Sequence, residues 1–226
     1  MAIALQIKVN EKLSLRDPEQ TELGRNILMY GLQLIDELGY EGFTFKKLAN
    51  TIGSTEASVY RYFENKHKLL LYLVSWYWNW VHYRIEFHTH NLEDPEERLR
   101  TALRVLLGHA MVDRELVHLD AEALHRLVLM EGPKTYLLHQ VDQLAAEGLF
   151  QGYEALVKQL ASLVSGVNPN YPQPCALAVT LLEAANQQLF FAAHLPALTE
   201  LRARAKEDSE VTTFLEELAM RTLRGT

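Results

Sequence analysis

The chain has 226 residues, of which 48% are hydrophobic and 23% charged, as in ordinary globular proteins. A single cysteine, Cys175, excludes an internal disulfide, and neither an export signal nor a membrane-spanning apolar run is recognisable, so we expect a cytoplasmic protein without membrane contact. The net charge of −7 disfavours a general affinity for anions. Gly42–Lys68 nevertheless holds five basic and two acidic side chains, a local basic patch that is compatible with phosphate contact.

Taken in chain order, the predicted elements are all helices. Apolar residues recur at helical spacing through most of the chain, and residues such as Thr44, Thr55 and Asn65 are suited to cap helix starts. Gly39 is placed to end the first helix. The isolated alternation in the first ten residues is interpreted as a loose arm. The predicted helices cover 18–38, 45–52, 56–62, 66–88, a fifth from 96, 115–130, 134–146, 151–164, 174–194 and 209–223.

The segment Thr44–Leu70 has the pattern of two short helices joined by a tight turn. Ala49 supplies the small side chain that a close helix crossing requires, and Gly53 can take a positive φ in the turn. Four apolar residues are spaced to pack the two helices together: Leu48, Ile52, Val59 and Tyr62. The pattern predicts a helix-turn-helix, whose second helix enters the major groove of DNA.

The same segment resembles the DNA-binding region of TetR-family transcriptional regulators. In that family a Thr opens the second helix, an Ala and a turn Gly follow, and then comes Tyr-x-(His/Tyr)-Phe with a nearby Lys. The matching residues here are Thr44, Ala49, Gly53, Tyr60-Arg61-Tyr62-Phe63 and Lys66. Two positions depart from the pattern: Ser54 stands where an apolar residue is usual, and Glu56 where a neutral or basic one is common.

This resemblance implies an all-α protein with two domains behind an N-terminal arm. The arm would cover 1–17, a three-helix helix-turn-helix domain 18–65, and a helical ligand-binding and dimerisation domain 66–226. It further implies a homodimeric repressor, bound to a palindromic operator in double-stranded DNA and released by a small-molecule effector. We expect no cofactor and no catalytic residue.

The candidate DNA contacts fall into two groups. Residues at the start of the third helix would face base edges, and hydroxyls or ammonium groups around it would contact phosphates. The candidate base readers are Glu56, Ala57, Ser58 and Arg61, beside the cap Thr55; the phosphate contacts implied by the resemblance are Thr44, Tyr60, Tyr62 and Lys66. Two interpretations of Glu56 stay open. It stabilises a helix start through the helix dipole, or it accepts a hydrogen bond from cytosine.

Two further surfaces are predicted from apolar faces. The fourth helix carries an apolar stripe that is either core or a ligand-pocket wall, with Trp76, Trp80 and Tyr83 as the candidate pocket residues. The last two helices have small and apolar residues at helical spacing, which favours a four-helix dimer interface. Its predicted members are Ala178, Leu182, Ala185, Leu189, Phe214 and Leu218.

An alternative function rests on two Glu-x-x-His pairs, Glu115/His118 and Glu122/His125. Such pairs bind two metal ions in ferritin-like enzymes, but there they come from different helices that face each other. Here both pairs lie on one predicted helix and form a stripe along it. We therefore expect no metal site.

Overall fold

The computed structural model describes residues 7–108, 119–137, 139–202 and 210–225. Every regular element in these ranges is helical, which confirms the predicted all-α class. The α-helices are α1 (Glu22–Gly42), α2 (Phe45–Thr51), α3 (Glu56–Tyr60), α4 (Lys66–Thr89), α5 (Pro95–Leu106), α6 (Ala121–Glu131), α7 (Val141–Ala146), α8 (Gln151–Val167), α9 (Pro174–His194) and α10 (Glu210–Arg224). Short 3-10 helices lie at Glu11–Leu13, Pro18–Gln20 and Gly132–Thr135.

The predicted capping residues define the helix starts around the helix-turn-helix. The side-chain oxygens of Thr44, Thr55 and Asn65 each accept a hydrogen bond from the backbone N–H three residues later, at 3.2, 3.2 and 2.9 Å. Such a cap stabilises a helix by about 1 kcal/mol relative to Ala. Gly39 ends the regular part of α1 with a φ of 69°, as predicted, and the chain makes one more turn before Phe43.

Two predicted helices start or break differently. The first was expected from Pro18, but Pro18–Gln20 forms a 3-10 helix and α1 begins after Thr21, whose hydroxyl accepts from the Gly24 N–H at 3.0 Å. The predicted helix 134–146 is shorter, because the 3-10 helix that contains Pro133 precedes α7. Residues 115–118 of the predicted sixth helix, 115–130, lie outside the described residues.

The described part of the N-terminal arm, residues 7–17, is packed against the protein, so its prediction as a loose segment is wrong there. Ile7 and Leu13 are buried. The Asn10 side-chain amide donates to the Gly148 carbonyl at 2.8 Å, and the Leu15 N–H donates to the Tyr62 carbonyl at 2.8 Å. Two buried apolar side chains and long-range hydrogen bonds offset the entropy lost on ordering the segment.

The chain divides into two compact units, Met1–Asn79 with Val112–Tyr153, and Trp80–Met111 with Glu154–Thr226. In the first unit α1 packs against α2 and α6, and α2 against α3. In the second unit α10 packs against α5 and α9. There the buried Glu216 carboxylate accepts from Arg100 and Arg104 at 2.8 and 2.9 Å, which compensates its desolvation.

Helix α9 has a buried and an exposed part, which corrects the predicted dimer surface. Ala178, Leu182 and Ala185 are at most 2% exposed within the single chain, so they are not available to a partner. Phe214 and Leu218 on α10 are 42% and 37% exposed, and Leu189 is half-buried.

Among the described helices, α9 alone is long and apolar enough to cross a membrane. That evidence is weak, since core helices of other proteins share this length and composition.

Candidate nucleic-acid interface

The helix-turn-helix is built as its sequence pattern requires. Gly53 has a φ of 63° in the turn between α2 and α3, a conformation that favours glycine. Leu48 and Val59 are fully buried and Ala49 is 3% exposed, so the small side chain lies at the crossing of the two helices. The Ser54 N–H donates to the Ala49 carbonyl at 2.9 Å and closes the turn.

One face of α3 and its surroundings is exposed. The predicted contact residues on this surface are Thr44, Thr55, Glu56, Ala57, Tyr60 and Arg61, all exposed, with Ser58 half-buried. The Ser58 hydroxyl lies 2.8 Å from that of Thr55 and accepts from the Arg61 guanidinium at 3.1 Å. These contacts hold the long Arg61 side chain beside the start of α3.

Glu56 occupies the first turn of α3, next to its cap Thr55. It is exposed, and the described residues offer its carboxylate no ion pair within reach. The positive end of the helix dipole favours a carboxylate there, and the same position leaves it accessible to a base. Both interpretations of Glu56 are therefore compatible with the geometry.

Tyr60 and Tyr62 lie two residues apart but in different surroundings. Tyr60 is 47% exposed, and its ring packs edge-on against Phe45 at 5.1 Å. Tyr62 is 5% exposed, and its hydroxyl lies 2.7 Å from the hydroxyl of Thr21, the cap of α1. The prediction of Tyr62 as a phosphate contact is thus wrong in this structure, because its side chain joins α1 to the helix-turn-helix.

Lys66 begins α4 and contacts the segment that follows the kink of α1. Its ammonium donates to the Tyr40 carbonyl at 3.0 Å and lies 4.4 Å from the centre of the Tyr40 ring. An ammonium has three N–H donors, so this contact leaves donors for a phosphate. Its phosphate role stays a prediction, and Lys66 also ties α4 to the end of α1.

The residues around Tyr40 include a buried carboxylate that the sequence did not indicate. Glu131, at the end of α6, accepts from the Tyr40 N–H at 3.0 Å and pairs with Lys134 at 2.6 Å. Burial, together with the charges of Glu41 and Glu131, raises the pKa of the Tyr40 hydroxyl. Glu131 thus connects α1 to the 3-10 helix Gly132–Thr135, which starts at the next residue.

The first compact unit, which contains the helix-turn-helix, has an apolar cavity that the predicted pocket residues do not line. Trp76 and Trp80 are 1% and 4% exposed, while Tyr83 is 37% exposed and stacks on Phe87. The cavity, of about 220 Å³, is lined from α4 by Leu71, Val74, Ser75 and Trp78. Every residue from 69 to 78 is buried, and a helix that is apolar all round gives no periodic signal for the side that faces a cavity.

The four residues of the metal hypothesis do not form a described cluster. Glu115 and His118 lie outside the described residues. The Nδ1 atom of His125 is 2.6 Å from the Tyr77 hydroxyl, and burial lowers the His125 pKa to about 4, with a smaller contribution from the Arg126 charge. In the ranges that the structure describes, no group of three or more His, Cys, Asp or Glu side chains is arranged to hold a metal.

Comparison with known proteins gives one family match and several structural ones. Residues 27–73 match the family model of bacterial regulatory proteins, tetR family, whereas no curated protein matches. A putative TetR-family transcriptional regulator from Syntrophomonas wolfei has 19% identity and a TM-score of 0.65, covering 89% of this chain and 94% of that chain.

Two further structures have similar folds. AibR, solved in complex with isovaleryl coenzyme A and operator DNA, has 16% identity and a TM-score of 0.56, covering 88% of this chain and 97% of that chain. FadR from Bacillus halodurans, a fatty acid degradation regulator, has 16% identity and a TM-score of 0.58, covering 88% and 94%. At these identities the structures establish the fold, and the matched segment is the helix-turn-helix. Residues 27–73 therefore match the DNA-binding region of the TetR family, and the chain shares the fold of TetR-family regulators.

Proposed function

We propose that the protein is a cytoplasmic repressor that binds a palindromic operator as a homodimer and releases it when a small-molecule effector binds. The observation that carries this proposal is the placement of α4. It begins at Lys66, directly after the helix-turn-helix, and four of its residues line an apolar cavity in the same compact unit. An occupant of the cavity thus contacts the helix that supports the DNA-binding surface. We propose no enzymatic role.

Release requires that the effector bind the DNA-incompetent state more tightly than the DNA-bound state. An effector with equal affinity for both states would leave their populations, and therefore DNA binding, unchanged. The AibR structure, which holds both operator DNA and an acyl coenzyme A, supports the idea that this fold accommodates both ligands in one molecule.

The proposed dimer uses the part of the predicted surface that is not fully buried within the single chain: the exposed Phe214 and Leu218 and the half-buried Leu189. Leu189, Phe214 and Leu218 lie on the last two helices of the second unit. Exposed apolar side chains of this size favour a protein interface. In this proposal the apolar character of α9 serves dimerisation, without contact to a membrane.

The DNA-binding surface is tested by the salt dependence of binding to unselected duplex DNA. Each lost phosphate contact lowers the slope of log affinity against log salt by about one unit. We expect Lys66→Ala, at the predicted phosphate contact, to weaken binding and flatten this slope, while Arg98→Ala, which removes an exposed charge on α5, leaves both unchanged. Equal slopes for Lys66→Ala and the wild type would contradict this phosphate contact.

Repression is tested with a reporter whose promoter carries a selected binding site. We expect the wild-type protein to lower reporter output, and the Arg61→Ala variant to lower it less. Higher output with the wild-type protein would show an activator and overturn the repressor proposal.

A further inference from the structure

The apolar cavity lies entirely within the unit that contains the helix-turn-helix. Its walls come from α4, the 3-10 helix Gly132–Thr135 and the residue after it, and the segment 141–153. Four aromatic residues form much of the lining, Trp78, Tyr136, Phe150 and Tyr153. The Trp78 and Tyr153 rings meet edge-on at 5.5 Å, and the Tyr136 and Tyr153 rings stack at 6.3 Å.

The cavity offers no charge to a ligand. None of its described lining residues is acidic or basic. The Ser75 hydroxyl donates to the Leu149 carbonyl at 3.4 Å, and the Thr135 hydroxyl to the Gly132 carbonyl at 2.6 Å. Because these hydroxyls already donate to backbone oxygens, an ionised ligand would lose its hydration here without gaining an opposite charge.

The volume limits the size of the ligand. An apolar cavity of about 150 Å³ in another protein holds benzene, while pockets for drug-sized molecules start near 300 Å³. The 220 Å³ available here therefore corresponds to about nine non-hydrogen atoms by proportion to benzene. An acyl coenzyme A, which carries several phosphates and is far larger, fits neither the volume nor the neutrality of the cavity.

We propose that this cavity binds an uncharged, mainly apolar molecule built around one aromatic ring or two fused rings. This proposal names the chemical class of the effector in the proposed function. Only the release of DNA on binding rests on that function; the binding of the ligand itself does not. The aromatic walls favour a flat ring, which can pack by stacked and edge-on contacts. Thr135, which lines the cavity, lies four residues after Glu131, whose carboxylate accepts a hydrogen bond from the Tyr40 N–H. The same short segment therefore contacts both the ligand and the end of α1.

Fluorine NMR of neutral fluoroaromatic compounds tests the proposal on the full chain. The probes are fluorobenzene, 4-fluorophenol and 5-fluoroindole, with 4-fluorobenzoate as the charged counterpart. We expect the resonance of at least one neutral probe to broaden and shift on binding, and the carboxylate to bind at least tenfold more weakly. Binding of the carboxylate as tightly as the neutral probes, or of none of the probes, would overturn the proposal.

A filled cavity supplies the matched variant. Val141→Phe adds volume at the cavity wall, and Val157→Phe makes the same change on α8, away from the lining residues. We expect at least tenfold weaker probe binding for Val141→Phe and wild-type binding for Val157→Phe. Circular dichroism checks folding, and Tyr136→Leu, which removes an aromatic wall, replaces Val141→Phe if that variant does not fold. Undiminished binding by the folded cavity variants would overturn the assignment of the site.

The affinity for duplex DNA, measured with and without the bound probe, separates this proposal from the proposed function. Probe binding that is lost in Val141→Phe supports the cavity site whatever happens to DNA affinity. If the bound probe leaves DNA affinity unchanged, effector control through this cavity fails while the binding site stands. If no probe binds but another compound releases DNA, the cavity proposal fails and the proposed function stands.

Discussion

At the scale of single residues, Tyr60 and Tyr62 show how neighbours in one motif divide into surface and core. Both belong to the segment that resembles the family pattern, yet Tyr62 is buried with its hydroxyl at 2.7 Å from Thr21, and Tyr60 is half exposed. The resemblance to the family pattern implied that both contact phosphates, to which a tyrosine hydroxyl can donate. The partner of Tyr62 comes from 41 residues earlier in the chain, and such long-range pairing leaves no local signal.

Tyr62→Phe should therefore act on stability. Loss of a buried hydrogen bond costs about 1 kcal/mol, and we expect the free energy of unfolding in urea to fall by that amount while the salt dependence of DNA binding is unchanged. Tyr60→Phe removes the hydroxyl of a half-exposed side chain. It should change the free energy of unfolding by no more than about 0.5 kcal/mol. A Tyr62→Phe variant with wild-type stability and a flatter salt slope would restore Tyr62 as a phosphate contact.

Glu56→Gln separates the two interpretations of this residue. Removal of a negative charge near phosphates should raise affinity for all duplexes, as should Glu64→Gln, which removes a second exposed carboxylate outside α3. If Glu56 accepts from cytosine, only Glu56→Gln should also change the preference at one symmetric pair of base positions, by about 1–3 kcal/mol per contact. Unchanged base preferences in sequences selected by both variants would leave Glu56 as a helix-start residue.

At the scale of elements, the sequence predicts the features that depend on interactions between neighbouring residues. The caps Thr44 and Thr55, the turn at Gly53 and the end of regular helix at Gly39 depend on neighbouring backbone and were read correctly. The packing of the N-terminal arm and the Tyr40–Glu131 contact join residues far apart in sequence. Trp76, Trp80 and Tyr83 do not line the apolar cavity. Residues 69–78 of α4 are all buried, so their apolar pattern does not distinguish core from cavity wall.

We expect the stability of the contact between α4 and α6 to depend on pH through His125. Burial lowers the pKa of His125 to about 4, whereas an unfolded histidine titrates near 6.5. Between these values the unfolded state binds more protons, so this group's contribution to stability is present above about pH 6.5 and is lost as the pH falls towards 4. We expect His125→Gln to lose less stability than the wild type between pH 7 and pH 4.5 in urea unfolding.

The exposed His139 provides the control for this titration. His139→Gln should follow the wild-type pH profile. If His125→Gln also follows it, the imidazole does not carry the acid sensitivity of this contact.

Glu19, on the 3-10 helix before α1, should affect the pH dependence of stability in the opposite direction to His125. Burial raises its pKa to about 7, with the Asp17 charge adding to the rise and a hydrogen bond with Trp76 opposing it. The folded state then holds a proton that the unfolded state has released, so stability falls as the pH rises from about 4.5 through 7. Glu19→Gln keeps a hydrogen-bonding group and should abolish this loss, whereas Glu22→Gln, at an exposed site, should not. Equal pH profiles for Glu19→Gln and the wild type would contradict the raised pKa.

At the scale of the whole molecule, the proposed dimer depends on exposed apolar residues of the second unit. Leu218→Glu places a charge on the predicted interface, and we expect monomers in sedimentation and loss of operator binding, because one half-site contributes too little affinity. Phe87→Glu, at a 62% exposed aromatic residue on α4, is the matched control and should remain dimeric. A wild-type protein that is monomeric at micromolar concentration would overturn the dimer.

Selection of bound sequences from random duplex DNA tests most directly whether the helix-turn-helix reads an operator. A dimer of this motif contacts two half-sites separated by about one helical turn, 10–10.5 base pairs, or a multiple of it. We expect enrichment of one palindromic sequence with that spacing, and its loss when Arg61 and Glu56 are both replaced by Ala. Recovery of no enriched sequence, or of the same sequence with the double variant, would contradict it.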